Sequence, residues 1–308
     1  MPAASIPLRI ASMLALALLT ITSPLAGQGA AADPLDGEPP SGPLPFVCPM
    51  DPDVRSETPG SCSRCGMKLV LGLPAPAEYP VVLRAVPRAV DPGTPVRLEF
   101  EVLRPSTGER QTDFETVHEK LFHLFWVSHD LQVFRHEHPA LGPDGIFRID
   151  TEFERPGTYR LMCDFYPSGG TPQMFPMTLT TRGFDEPMQT LGPLLAEDRR
   201  PKRGQNIGVS LKTEPPSPLA GQLTLLFFEL NTARGLQKFL GAWAHMLAVK
   251  DDLVTMIHGH PSIADGGRRI QMNVIFPEPG MYRVWVQVQR RKKVSTVPFT
   301  IAVRGLPR

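Results

Sequence analysis

Short apolar runs that alternate with polar residues recur along the chain from about residue 79 to its end. Val96–Leu103 and Tyr159–Phe165 are typical, with β-branched or aromatic residues at alternate positions and with Pro or Gly close to each end. A period of two places alternate side chains on the same face of a strand, and the runs show no convincing helical spacing. The pattern predicts a mainly β protein built from antiparallel β-sandwiches.

One of these regions occurs twice. The segment from His123 to Pro139 aligns without a gap on the segment from His245 to Pro261. Further along, Pro156-Gly157-Thr-Tyr-Arg matches Pro279-Gly280-Met-Tyr-Arg after small changes in length. A repeat of domain size is much longer than the period of a solenoid, so it indicates two tandem copies of one sandwich.

The N-terminus has the pattern of a secretory signal peptide. Arg9 precedes an apolar run from Ile10 to Ile21, and small residues follow it as far as Ala30-Ala31-Ala32. Such a run is short for a membrane span, and the small residues suit a signal peptidase. We therefore expect an exported protein, periplasmic or extracellular, with no membrane span after cleavage; a retained N-terminal anchor is the alternative.

Charge narrows the range of partners. The 32 Lys and Arg residues nearly balance the 31 Asp and Glu residues. Because the chain has neither a basic stripe nor an acidic tail, we expect no binding to nucleic acid or to an anionic membrane.

Soft metal ligands cluster in the segment between the signal peptide and the first sandwich. Residues 46–70 hold three of the four cysteines and two methionines: Cys48, Met50, Cys62, Cys65 and Met67. The Cys-x-x-Cys spacing of Cys62 and Cys65 lets a tight turn direct two sulfurs at one ion. Thiolate and thioether sulfur select copper(I) or zinc over magnesium and calcium, and the thioethers favour copper(I). The alternative is a disulfide between the paired cysteines, with methionines that only fill space.

This segment resembles the short heavy-metal-binding domain, whose pattern is Cys-Pro-Met-His-Pro, then Pro-Gly, then Cys-x-x-Cys-Gly-Met. The matching residues are Cys48-Pro49-Met50, Pro59-Gly60 and Cys62-Ser63-Arg64-Cys65-Gly66-Met67. Members of the family are fused to copper-transporting P-type ATPases and to adaptor subunits of copper/silver efflux pumps. The resemblance implies a heavy-metal ion as ligand and a metal transporter or efflux component as partner. Asp51 stands where the family usually has His, which removes one nitrogen ligand.

The sandwich repeats are similar to the Ig-like domains of exported bacterial proteins that accompany metal-handling modules. We therefore expect a small zinc-ribbon-like metal knuckle followed by two tandem Ig-like antiparallel β-sandwiches. The predicted segments are a signal peptide at 1–32, a Pro/Gly-rich linker at 33–45, the knuckle at 46–71, repeat 1 at 78–182, a linker at 183–202 and repeat 2 at 203–308.

All eight histidines lie in or beside the two repeated segments. Three recur in both copies: His123, His136 and His138 in the first, and His245, His258 and His260 in the second. Three neutral imidazoles on one sheet face suit copper(II) or zinc. The alternative is that these histidines hydrogen-bond a strand end near Pro139 and Pro261.

A hairpin would bring each trio together. A turn at His129-Asp130 pairs His123 with His136 and places His138 diagonally across from His123 on the same face. A turn at Asp251-Asp252 gives the second copy the same geometry. The register depends on the length of this loop.

Two other classes of protein are disfavoured. A blue-copper site needs a Cys closely followed by His, whereas no His follows Cys163 before His245. Cys163 lies in an alternating apolar run and reads as a buried core thiol. Motifs of hydrolases and phosphate-binding loops do not occur in the sequence.

We expect a protein that is not an enzyme but binds a heavy metal, copper in the first place. It would sequester the metal or deliver it to a transporter. The alternative is a structural or adaptor protein of the cell envelope whose knuckle binds a structural zinc.

Overall fold

The structure is a computed structural model that describes residues 46–50, 54–72, 77–105, 107–168, 170–185 and 193–306. The predicted signal peptide and first linker lie outside the described residues. The described residues form β-strands and no α-helix, which confirms the mainly β class. Accordingly, none of them belongs to a helix long and apolar enough to cross a membrane.

The knuckle is a small three-stranded sheet, in the order β2-β1-β3. Its antiparallel strands are β1 (Phe46–Val47), β2 (Arg55–Ser56) and β3 (Val70–Leu71). The strands are only two residues long, and a buried apolar cluster surrounds the cysteines of this unit.

The first sandwich packs two four-stranded antiparallel sheets face to face. One sheet holds, in spatial order, β4 (Val81–Val86), β5 (Pro95–Val102), β9 (Phe147–Glu152) and β8 (Ala140–Leu141). The other holds β11 (Gln173–Thr180), β10 (Thr158–Phe165), β6 (Phe122–Ser128) and β7 (Phe134–Glu137). Leu98 and Phe100 from one sheet and Leu124 and Leu161 from the other share one buried core. Cys163 is fully buried in that core, which confirms its prediction as a core thiol.

The second sandwich likewise packs two antiparallel sheets, of four and five strands. One sheet holds β12 (Lys202–Arg203), β13 (Gly208–Glu214), β14 (Leu223–Leu230) and β18 (Arg269–Ile275). The other holds β15 (Leu236–Gln237), β16 (His245–Lys250), β17 (Met256–Gly259), β19 (Gly280–Arg290) and β20 (Lys293–Val303). Leu226, Met246, Val284 and Phe299 lie in its core. The boundaries predicted for the two repeats stay a prediction.

The two sandwiches pack on each other through the outer faces of the β6–β10 and β16–β19 sheets. A separate buried cluster joins Phe125, Val127, Leu131 and Met162 of the first sandwich to Leu247, Val249 and Trp285 of the second. Phe134 stacks on Trp285 with ring centroids 5.0 Å apart. The two sandwiches therefore share a buried apolar interface. Strand β6 is buried along its whole length, because both of its faces are covered.

Candidate metal centres

The three knuckle thiols converge in the structure. One ligand atom from each of Cys48, Cys62 and Cys65 lies within 4.8 Å of the others, and all three residues are buried. The Sγ atoms of Cys48 and Cys65 are 3.5 Å apart, well beyond the S–S bond length of about 2.05 Å. No disulfide joins cysteines in the described part of the chain. The structure thus shows a three-thiol group at the position predicted for a soft metal.

A tight turn directs two of these sulfurs. The N–H of Gly66 donates to the carbonyl of Cys62 at 2.9 Å, and the N–H of Cys62 donates to the carbonyl of Met67 at 2.6 Å. Gly66 has φ of +79°, in the left-handed region that glycine adopts without steric cost. The N–H of Arg64 also points at Cys62 Sγ, 3.4 Å away. Such a donor stabilises a thiolate that holds a metal.

Burial controls the ionisation of Cys65 in the knuckle. It raises the pKa of the Cys65 thiol far above its ordinary value, and the neighbouring sulfur of Cys48 raises that pKa further. The Cys65 thiol therefore holds its proton when no cation is near. A bound cation displaces that proton, since a coordinating thiol loses its proton outright.

The methionines of the motif lie in the same apolar cluster as the thiols. Met67 is fully buried there, and Met50 is partly buried at its edge. Val117 and Tyr166 of the first sandwich complete this cluster, so the knuckle docks on that sandwich. Asp51, the departure from the family pattern, lies outside the described residues.

The first histidine trio assembles on the outer face of the β6–β7 hairpin. His123 Nδ1 is 3.1 Å from His136 Nε2, and His138 Nε2 is 3.2 Å from the same His136 nitrogen. One ring nitrogen from each lies within 4.8 Å of the other two. The second sandwich then closes over this face, and His123 is 1% exposed.

The second trio repeats this geometry. His260 Nε2 lies 3.0 Å from His245 Nδ1, and one nitrogen of each of His245, His258 and His260 lies within 4.8 Å of the other two. His118, which has no histidine counterpart in the second copy, stacks over His260 with ring centroids 3.6 Å apart. A cross-repeat contact of this kind leaves no signal in the sequence pattern.

The predicted hairpin register is wrong, although the trios form. Phe125 rather than His123 lies opposite His136, and Leu247 rather than His245 lies opposite His258. The cause is the loop: β6 ends at Ser128 and β7 begins at Phe134, so the connection is longer than a two-residue turn. Each register is shifted by an even number of residues, which keeps every histidine on its predicted face.

Burial favours the neutral imidazole in five of the six trio histidines. It is the largest cause of the lowered pKa values of His123, His136, His245 and His260, and neighbouring histidines lower them further. The same causes lower the pKa of His138 to about 3. Neutral imidazole is the form that binds metals.

Sequence reasoning missed two polar residues at the trios, Asp164 and Gln287. Asp164 lies beside His123 across the β6–β10 pair, and Gln287 lies beside His245 across the β16–β19 pair. Both interrupt largely apolar strands at outward-facing positions. A polar residue at the same position of both repeats is the signal that would have found them.

A cavity of about 1070 Å³ connects the knuckle with the second trio. Met50 and Cys65 line it on the knuckle side, and His118, His258 and His260 line it on the other side. The residues of the first trio do not line this cavity. Of the two trios, the second is thus the one that shares a cavity with a thiol of the knuckle.

Family models match most of the chain. A model described as a heavy metal binding domain matches residues 46–70. The model DUF8832, described as a domain of unknown function, matches residues 77–183 and again residues 203–305. A search of curated proteins finds no match.

Solved structures that match the chain include an adhesin and a fibronectin type III segment. The Escherichia coli adhesin FdeC is 11% identical, with 82% of this chain and 76% of that chain covered and a TM-score of 0.26. A two-domain fibronectin type III segment of chicken tenascin is 12% identical, with 73% of this chain and 99% of that chain covered and a TM-score of 0.21. Scores this low carry no argument about function.

Proposed function

The chain belongs to the DUF8832 family, and from the three clustered thiols of its knuckle we propose that it is a copper(I)-binding protein of the cell exterior. It sequesters the ion or delivers it to a transporter or efflux component. The heavy metal binding domain at residues 46–70 supports metal binding itself. The proposal involves no catalytic step.

The choice of copper(I) depends on the ligand set. A structural zinc site is almost always four-coordinate, with nitrogen, sulfur or carboxylate ligands. In the described part of the knuckle only Cys48, Cys62 and Cys65 form such a group. The further side chains of sulfur type, Met50 and Met67, lie in the same apolar cluster. Thioether sulfur is a ligand for copper(I) and a poor one for zinc, so this set favours copper(I).

The partial exposure of the thiol site is consistent with delivery of copper(I) as well as with its storage. Cys48 is fully buried, whereas Cys65 lines the cavity together with Met50. An ion held by the three thiols is therefore shielded on one side and reachable on the other. Exchange with a partner's thiol or thioether proceeds through that open side.

Metal titration of the full chain under anaerobic conditions tests the proposal. We expect one copper(I) per chain with sulfur ligands in X-ray absorption, and loss of those ligands in the double variant Cys62→Ser, Cys65→Ser. Cys163→Ala is the matched control, because this thiol lies in the sandwich core. A single tight zinc that the chain needs in order to fold, with no sulfur-bound copper(I), would favour the structural or adaptor role instead.

A further inference from the structure

In each trio, one histidine is held by a backbone carbonyl. His123 Nε2 lies 2.9 Å from the carbonyl oxygen of Val117, and His245 Nε2 lies 2.7 Å from that of Phe239. A carbonyl oxygen only accepts hydrogen bonds, so each Nε2 carries the proton of its neutral ring. The Nδ1 atoms of His123 and His245 therefore carry no proton, and their lone pairs point into the trios.

A second histidine of each trio is held from the other sandwich. His136 Nδ1 lies 2.8 Å from Oε1 of Gln287, whose Nε2 donates to Thr296 Oγ1 at 3.0 Å. His258 Nδ1 lies 2.6 Å from Oδ2 of Asp164. Both Nδ1 atoms donate to these oxygens, which leaves the Nε2 atoms of His136 and His258 to face the trios, and in the neutral ring of His136 that Nε2 carries a lone pair. This is the outer-shell arrangement that sets the tautomer and the ring orientation of metal-bound histidines.

Two lone pairs consequently face each other in the first trio. His123 Nδ1 and His136 Nε2 are 3.1 Å apart, and neither ring has a proton left to place between them. In the second trio the side chain of His258 is 5% exposed, and its Nε2 has no hydrogen-bond partner among the described residues. A cation at the centre of each trio satisfies these nitrogens. The third rings, His138 and His260, join as ligands once their proton moves to Nδ1.

The two trios also lie against each other. The ring centroids of His123 and His258 are 5.8 Å apart, and those of His136 and His245 are 5.7 Å apart. Each trio is completed by an outer residue from the opposite sandwich, so neither is whole without the sandwich interface. We propose that the interface is a two-ion centre, in which each trio binds one zinc or copper(II) ion through three imidazoles.

The two positions differ in charge and in access. The outer partner of the second trio is the buried carboxylate of Asp164, whereas that of the first is the neutral amide of Gln287. A carboxylate behind the imidazole makes the nitrogen a stronger ligand and offsets part of the charge of the ion. His258 and His260 of the second trio also line the cavity. The second trio therefore binds its ion first and more tightly.

This centre goes beyond the copper(I) function proposed for the knuckle, because its ligands and its ions are of a different class. The test uses the full chain with Cys48, Cys62 and Cys65 replaced by Ser, so the outcome does not depend on the knuckle. Copper(II) is the probe. We expect two ions per chain, nitrogen ligands in the electron paramagnetic resonance spectrum and spin–spin broadening as the second ion binds.

Variants assign the two positions. His258→Ala with His260→Ala should reduce two ions to one and remove the broadening. Asp164→Asn should keep two ions but weaken the tighter one by about 10- to 100-fold, as loss of an outer-shell partner does. Its copper spectrum at one equivalent should change as well, which a purely structural role of Asp164 would not cause. His129→Ala, a histidine outside the trios, is the matched control and should leave both ions unchanged.

Absence of copper(II) binding in the thiol-free chain would overturn the proposal, as would two ions retained in the double variant. Circular dichroism establishes that each variant is folded. If the double variant does not fold, Asp164→Asn provides the test. An unchanged copper(II) affinity and an unchanged spectrum in Asp164→Asn would also overturn the paired arrangement.

Discussion

His258 of the second sandwich donates a hydrogen bond from Nδ1 to the carboxylate of Asp164 in the first, at 2.6 Å. The two residues are 94 positions apart in the chain. This bond crosses the interface at the point where the two histidine trios meet, so the packing of the sandwiches and the geometry of the second trio depend on each other.

Removing the acceptor should therefore destabilise the protein. Asp164→Leu leaves the Nδ1–H of His258 buried without a partner, and we expect the free energy of unfolding to fall by about 1–3 kcal/mol. Asp164→Asn keeps an oxygen acceptor and should cost less. Urea unfolding in metal-free buffer measures both. Equal stability of the Leu variant and the wild type would contradict the importance of this bond.

The apolar part of the interface should contribute as much to the free energy of unfolding as the core of a sandwich does. Trp285 is 3% exposed and stacks on Phe134 of the other sandwich. We expect Trp285→Ala to lower the free energy of unfolding by about 3–5 kcal/mol, as for a large core residue. Trp243→Ala, at a half-buried position, is the matched control with a smaller expected loss. Similar losses in both variants, measured by chemical denaturation, would argue against a tightly packed interface.

Gly66 should set the geometry of the knuckle through its backbone alone. No described atom lies within 4 Å of the position that a Cβ would take, and φ is +79°. Gly66→Ala therefore carries only the conformational cost of the left-handed region, about 1–2 kcal/mol. We expect copper(I) affinity to fall by about tenfold, in competition with a chelator of known affinity.

Gly60→Ala is the control for that variant. Its Cβ would also meet no described atom within 4 Å, but the backbone is not in the left-handed region. Its affinity should match the wild type. If both alanine variants bind copper(I) equally well, the turn at Gly66 does not organise the site.

Low pH should destabilise the loop between β6 and β7, which contains Asp130. Burial raises the pKa of Asp130, but hydrogen bonds from Ser128 and Arg155 outweigh it, so the pKa in the folded protein lies below its ordinary value. A carboxylate of this kind stabilises the fold above its unfolded-state pKa of about 3.9. That stabilisation is lost as the pH falls from there through the lower folded-state pKa.

Asp130→Asn tests this dependence. The stability difference between wild type and variant should be constant from neutral pH to about pH 5 and should shrink below about pH 4. Denaturation at a series of pH values measures it. A difference that does not change with pH would show that the carboxylate charge is not involved.

Much of the structure is predictable from the pattern of residues close together in the sequence. The period of two predicted the strands, and the short span between Cys48 and Cys65 predicted that their sulfurs meet. The trios were also predictable, although their register was not. A register shift by an even number of residues leaves a side chain on the same face, so His123 and His136 stay neighbours under more than one loop length.

The strand faces, the knuckle and the membership of each trio are predictable from the chain, because they depend on residues close together in it or on a repeated hairpin. That the two trios face each other follows from the packing of the sandwiches. His136 reaches Gln287 across 151 positions, and His258 reaches Asp164 across 94. Alternation marks which side chains share a face of a strand, but it does not say what covers the outer face. That depends on how the two sandwiches pack.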